Sequence, residues 1–205
     1  LAKEKEFYWR RLHSLLGLIP VGLFLVFHLL VNFQATKGVE AFNEAAGLVE
    51  KMPFLLVLEW VVIYIPLMFH AFYGVYIAFT AKSNLKRFGT TRNWFFMLQR
   101  LSGIFLVIFI AWHIWQTRLQ KTLADAEVGG NYDMMADIVS NPAMLAFYIV
   151  GIIAATFHLS NGIWSFLVSW GITQSKQSQK VATWVTMIFF VLLSVVGVMA
   201  ILAFV

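Results

Sequence analysis

The sequence predicts an all-α integral membrane protein with five transmembrane helices, four of them from two related hairpins that close into a bundle, with a fifth beside them. Three observations carry this. Of 205 residues, 60% are hydrophobic and only 12% charged, against roughly 45–50% and 25% in a soluble domain, and the mean hydropathy is +0.78. The long apolar stretches, with at most one charged residue each, fall into five runs, at 15–33, 54–81, 94–117, 143–173 and 181–205, each close to or above the ~20 residues that cross a bilayer core. The residues around four histidines recur along the chain.

The first run is too long for a signal-peptide core and no small-x-small site follows it, so it reads as a retained helix. Pro53 and Pro142 stand just before the second and fourth runs, where a missing N–H costs nothing. Pro20 and Pro66 fall inside helices and are expected to kink them. The chain reads as one transmembrane domain over residues 1–205, with connections too short for a soluble catalytic unit. It has no cysteine, which excludes disulfides, Cys-ligated iron–sulfur clusters, zinc fingers and covalently attached c-type haem on this chain.

Charge sets the expected orientation. With the N-terminus in the cytoplasm, the inner segments carry ten basic residues: Lys3, Lys5, Arg10, Arg11, Lys82, Lys86, Arg87, Arg92, Lys176 and Lys180. The outer loops carry four, Lys37, Lys51, Arg118 and Lys121, beside seven of the ten acids, Glu40, Glu44, Glu50, Asp125, Glu127, Asp133 and Asp137. The positive-inside rule then puts the N-terminus inside and Val205 outside. Anionic lipid accounts for the basic inner surface, and a peripheral partner protein suits it equally.

Phe69-His70-x3-Gly74-Val75-Tyr76 in the second run matches Phe157-His158-x3-Gly162-Ile163-Trp164 in the fourth, 88 residues later. More loosely, Arg11-Leu12, Ser14 and His28 match Arg100-Leu101, Ser102 and His113. Each of the first four runs thus holds a histidine, and a fifth, His13, stands at the inner lip. Ionisable groups in a bilayer are costly and read as functional. At a rise of ~1.5 Å per residue, His28 and His113 fall about 20 and 28 Å from the inner end of their helices and so in the outer half. His70 and His158 lie about 24 and 22 Å from the outer face, in the inner half.

Two layers of two disfavour a four-histidine tetrahedral metal site, whose ligands must converge within ~2.1 Å of one ion. They suit two b haems, each held by one histidine on either axial side. Gly17 and Ser102, each 11 residues before a ligand histidine, share its face at the depth of the other pair. There they suit either a flat porphyrin surface or ordinary small-residue packing. Gly74 and Gly162 invite the same comparison. Glu59, 11 residues before His70, is expected near the outer pair as a neutral carboxyl: a structural group, a haem-edge contact or a proton-handling group at a quinone site. Arg100 suits an inner-haem propionate or snorkelling. His13 suits a propionate or a partner subunit rather than an axial bond.

The segments Tyr8-Trp9-Arg10-Arg11-Leu12-His13-Ser14 leading to His28, Asn93-Trp94-Phe95-Phe96-Met97-Leu98-Gln99-Arg100 leading to His113, and Phe157-His158-Leu159-Ser160-Asn161-Gly162 leading to Trp170-Gly171 resemble the membrane-anchor cytochrome b of succinate:quinone oxidoreductases and fumarate reductases. The resemblance spans the chain and is strongest to the five-helix, two-haem class of Gram-positive bacteria that use menaquinone. It implies that His70 and His158 ligate the inner, higher-potential haem iron and His28 and His113 the outer one. It also implies two cytoplasmic partners, a flavoprotein that oxidises succinate at FAD and an iron–sulfur subunit, with menaquinone reduced near the outer haem in the bacterial cytoplasmic membrane. Three other readings stay open. A quinol:fumarate reductase anchor runs the same architecture backwards, a transporter or proton channel with a histidine relay predicts no pigment, and a bare anchor uses its histidines only to bond helices.

Overall fold

The computed structural model describes residues 2–82, 85–123 and 131–205; Asp125 and Glu127, counted above among the outer acids, lie outside the described residues. Five helices are long and apolar enough to cross a membrane: Glu4–Lys37, Leu55–Thr80, Thr91–Thr122, Pro142–Ser169 and Lys176–Leu202. They are called spans 1 to 5. Span 1 packs on spans 2 and 4, and span 3 packs on the same two, so spans 1 to 4 form a ring in which 1 and 3, and 2 and 4, face each other diagonally. Span 5 lies along span 4 and the Pro20–Phe33 half of span 1. Outward-facing side chains such as Leu23, Phe72, Ile108, Val150 and Leu192 are apolar and exposed, as a lipid-facing surface requires.

Local chemistry explains where helices begin, end and bend. Thr90, Asn141 and Ser175 cap spans 3, 4 and 5 by accepting backbone N–H bonds, Asn141 from both Ala143 (2.9 Å) and Met144 (3.3 Å) with Pro142 at the first helical position. Span 4 closes at Ser169, short of the expected residue 173, on a Schellman turn. Gly171 takes φ +72°, and the Ile172 N–H bonds the Leu167 carbonyl at 2.9 Å. Pro20 interrupts span 1 after Leu18. Pro66 follows a π-helical turn, Glu59–Tyr64, and a second π turn, Trp115–Leu119, sits in span 3. The π turns carry Glu59 and Arg118, which meet across the two spans.

The outer connections hold two helices the sequence reading missed, Val39–Glu50 and Asn131–Ser140. They pack on each other and on the end of span 5 through Phe42, Met135, Val139 and Phe204, with the buried Ala35 completing the cluster. The Tyr132 hydroxyl donates to the Ala203 carbonyl at 2.6 Å, and Lys121 ties the cap to span 3 through Glu50 at 2.6 Å.

Candidate cofactor site

The four intramembrane histidines meet as two diagonal pairs. His28 of span 1 faces His113 of span 3 with ring centroids 5.8 Å apart and planes at 74°; His70 of span 2 faces His158 of span 4 at 6.1 Å and 89°. His70 contacts the His13–Gly17 stretch of span 1, well below His28 in the same helix, so the pairs lie at different depths. Among the described residues, no group of three or more His, Cys, Asp or Glu converges on one point.

The spacing suits an iron between each pair. Two metal–imidazole bonds of about 2 Å, plus roughly 1 Å from each ring nitrogen to its centroid, would take up about 6 Å, the spacing of each pair. The hydrogen bonds point the same way. The His70 Nδ1 lies 2.9 Å from the His13 carbonyl, and the His158 Nδ1 lies 3.1 Å from the Gln99 carbonyl. A carbonyl only accepts, so Nδ1 carries the proton in both rings and Nε2 keeps its lone pair. An outer partner of this kind fixes the tautomer of metal-binding histidines. In the outer pair, the His113 Nδ1 meets the Tyr148 hydroxyl at 3.3 Å, and that hydroxyl donates to Gln116 at 3.3 Å. Phe24 packs on His28 and Phe109 stacks on His113.

Gly17 lies directly against the His70 ring, and a Cβ there would overlap it. The Ser102 hydroxyl sits 3.1 Å from the His158 Nδ1. Gly103, which the sequence reading passed over, faces the same ring. By contact, the repeat therefore aligns His13 with Gln99 and Gly17 with Gly103, in place of the match through Arg11 and Arg100. Gly74 backs onto His13, and Gly162 onto Gln99.

His13 is inside the bundle rather than at its lip. Its ring stacks on His70 at 4.1 Å and 9°, and its Nε2 is buried without a partner. Arg100 does not stand free. Its guanidinium donates to the carbonyls of Ala78 and, at 2.7 Å, Ala81, closing the C-terminal end of span 2. Glu59, expected as a neutral carboxyl near the outer pair, has a partner that the sequence reading did not give it, the Arg118 guanidinium 2.8 Å away. Arg118, assigned above to an outer loop, belongs to span 3.

A buried polar chain also went unread. Arg92 lies over the Trp164 ring at 3.8 Å and reaches Asn161 at 3.4 Å; Asn161 donates to Gln99 at 2.8 Å, and Gln99 donates to the His158 carbonyl at 2.9 Å. The signal was present in the polar residues set among apolar ones at 92, 99 and 161.

A five-helix membrane bundle with two diagonal histidine pairs, one above the other, is built as a membrane cytochrome b. Comparison with known proteins supplies the family. The model of the succinate dehydrogenase/fumarate reductase transmembrane subunit matches residues 80–197, from the end of span 2 through most of span 5. Over 205 residues, the full length of both chains, the sequence is 56% identical to the succinate dehydrogenase cytochrome b558 subunit of Bacillus subtilis (strain 168). The chain belongs to the family of succinate dehydrogenase/fumarate reductase transmembrane subunits, and its part in such a complex is that of the membrane anchor.

Proposed function

We propose that the chain is the di-haem anchor of a succinate dehydrogenase, taking electrons from an iron–sulfur subunit on its N-terminal, cytoplasmic side and delivering them to menaquinone near the outer face. The observation that carries this is the stacking of two histidine pairs at two depths. His70 and His158 hold the inner iron, and His28 and His113 the outer. Bound there, haem b supplies one-electron transfer between the partner and the quinone. Apolar and aromatic neighbours, Phe24, Phe105, Phe109 and Phe147, keep water from the outer pair. A flavoprotein with FAD completes the complex.

Reduction of menaquinone takes two protons as well as two electrons. Arg118 stands five residues beyond His113 in span 3, about 7 Å along the axis. The Glu59–Arg118 pair is therefore placed just outside the outer histidines. Glu59 receives and passes a proton, while Arg118 favours negative charge on a quinone oxygen. The test is the haem content of the purified chain by pyridine haemochrome. Two haems per polypeptide are expected, and one or none overturns the two-layer reading.

A further inference from the structure

We propose that Gly17 and Gly103 are positioning residues, each opening a notch in its helix through which an inner-pair imidazole reaches a main-chain carbonyl. This rests on the reading of His70 and His158 as a ligand pair. In an α-helix the carbonyl of residue i points at the N–H of i+4, and the Cβ of i+4 leans back toward the N-terminus over that carbonyl. A side chain at i+4 shields the oxygen from lateral approach, and a glycine there uncovers it. The two carbonyls that take an Nδ1–H bond are those of His13 and Gln99, and the residues four further on are Gly17 and Gly103.

The fit is close in both places. A Cβ on Gly17 would overlap Cε1 and Nδ1 of His70, the atoms that approach the carbonyl. A Cβ on Gly103 would stand 3.0 Å from Cε1 and 3.6 Å from Nδ1 of His158. Carbonyl and glycine recur together 86 residues apart, so each hairpin supplies one notch to the histidine of the helix packed against it. Among the described residues, the outer pair has no such device: His113 turns its Nδ1 to a side-chain hydroxyl, and the His28 Nε2 lies 3.4 Å from the side-chain amide of Asn32, four residues on in its own helix. The notch therefore acts on one pair alone: it holds the tautomer that leaves the Nε2 lone pair free, and it strengthens that nitrogen as a donor.

The test uses the intact complex carrying Gly17→Ala, Gly103→Ala or, as control, Gly47→Ala, whose new Cβ would meet nothing within 4 Å. The readouts are the midpoint potential and the ferric low-spin resonance of each haem component. Both notch variants should move the component that His70→Leu removes to higher potential, or deplete it, Gly17→Ala more than Gly103→Ala. The component removed by His28→Leu, and both components in the control, should keep their wild-type values. Unchanged inner-component values in both notch variants, or a shift confined to the outer component, overturn the proposal. If Gly17→Ala does not accumulate, the milder Gly103→Ala decides alone. If His70→Leu and His158→Leu remove different components, the ligand pairing fails independently, and the notch is then judged by whether each glycine variant moves its own histidine's component.

Discussion

Arg118 changes what Glu59 can do. With the Arg118 guanidinium 2.8 Å away, the Glu59 side chain is tethered beside the proposed quinone site. Glu59→Gln keeps the size and the hydrogen bond but loses the transferable proton. That variant should retain both haems and succinate oxidation by a soluble acceptor, while quinone-linked turnover falls at least about tenfold. Full quinone reductase activity would leave Glu59 a structural group. Arg92 departs in another way from what its charge suggested. As one member of a summed basic patch its loss would matter little, but it is stacked on Trp164 and bonded to Asn161, a cation–π contact of about 0.5–2 kcal/mol when partly desolvated. Arg92→Ala should lower the thermal midpoint of the purified complex more than Lys86→Ala, whose side chain is exposed. Equal midpoints would return Arg92 to the patch.

At the scale of the element, the outer cap is held by polar contacts that respond to pH. Burial alone would raise the Glu50 carboxyl, but hydrogen bonds from Lys121 and Asn131 hold it below the usual carboxylate range. A depressed folded-state value means these bonds contribute fully above the unfolded value of about 4.3 and are lost as pH falls through the folded one. Proteolysis within the cap should therefore quicken on acidification through that window in the wild type, and Glu50→Gln should flatten the response; an unchanged profile would remove Glu50 as the cause. The cap also shows where the sequence was hard to read. The five spans are declared by long, nearly uncharged apolar runs, and Asn141-Pro142 is a start signal legible by eye. Val39–Glu50 is shorter, and its apolar stripe of Val39, Phe42, Ala46 and Val49 repeats at helical spacing without the length of a span. The histidine pairing was legible because depth follows from residue count alone. Ion pairs and notches between helices were not, because they depend on rotation and tilt, which helix length does not fix.

For the whole molecule, the ring of four spans brings the histidines of alternate helices face to face, and span 5 closes one outer side. Span 5 meets span 4 closely, with Gly197 against Ile152 and the Thr156 and Ser194 hydroxyls 2.7 Å apart, the small-residue and polar contacts that join helices in lipid. The proposed orientation places the 2–3 connection, with Lys82, Lys86 and Arg87, on the side of the iron–sulfur partner. The chain has no cysteine of its own, so Lys86→Cys offers one label site; it should react with an impermeant thiol reagent in inverted vesicles and not in intact cells. Labelling from outside would reverse the topology. The central claim, two ligand pairs at two depths, is tested most directly by reduced-minus-oxidised spectra of four single variants. His70→Leu and His158→Leu should each abolish the same spectral component, and His28→Leu and His113→Leu the other. Loss of one shared component in His28→Leu and His70→Leu would contradict it.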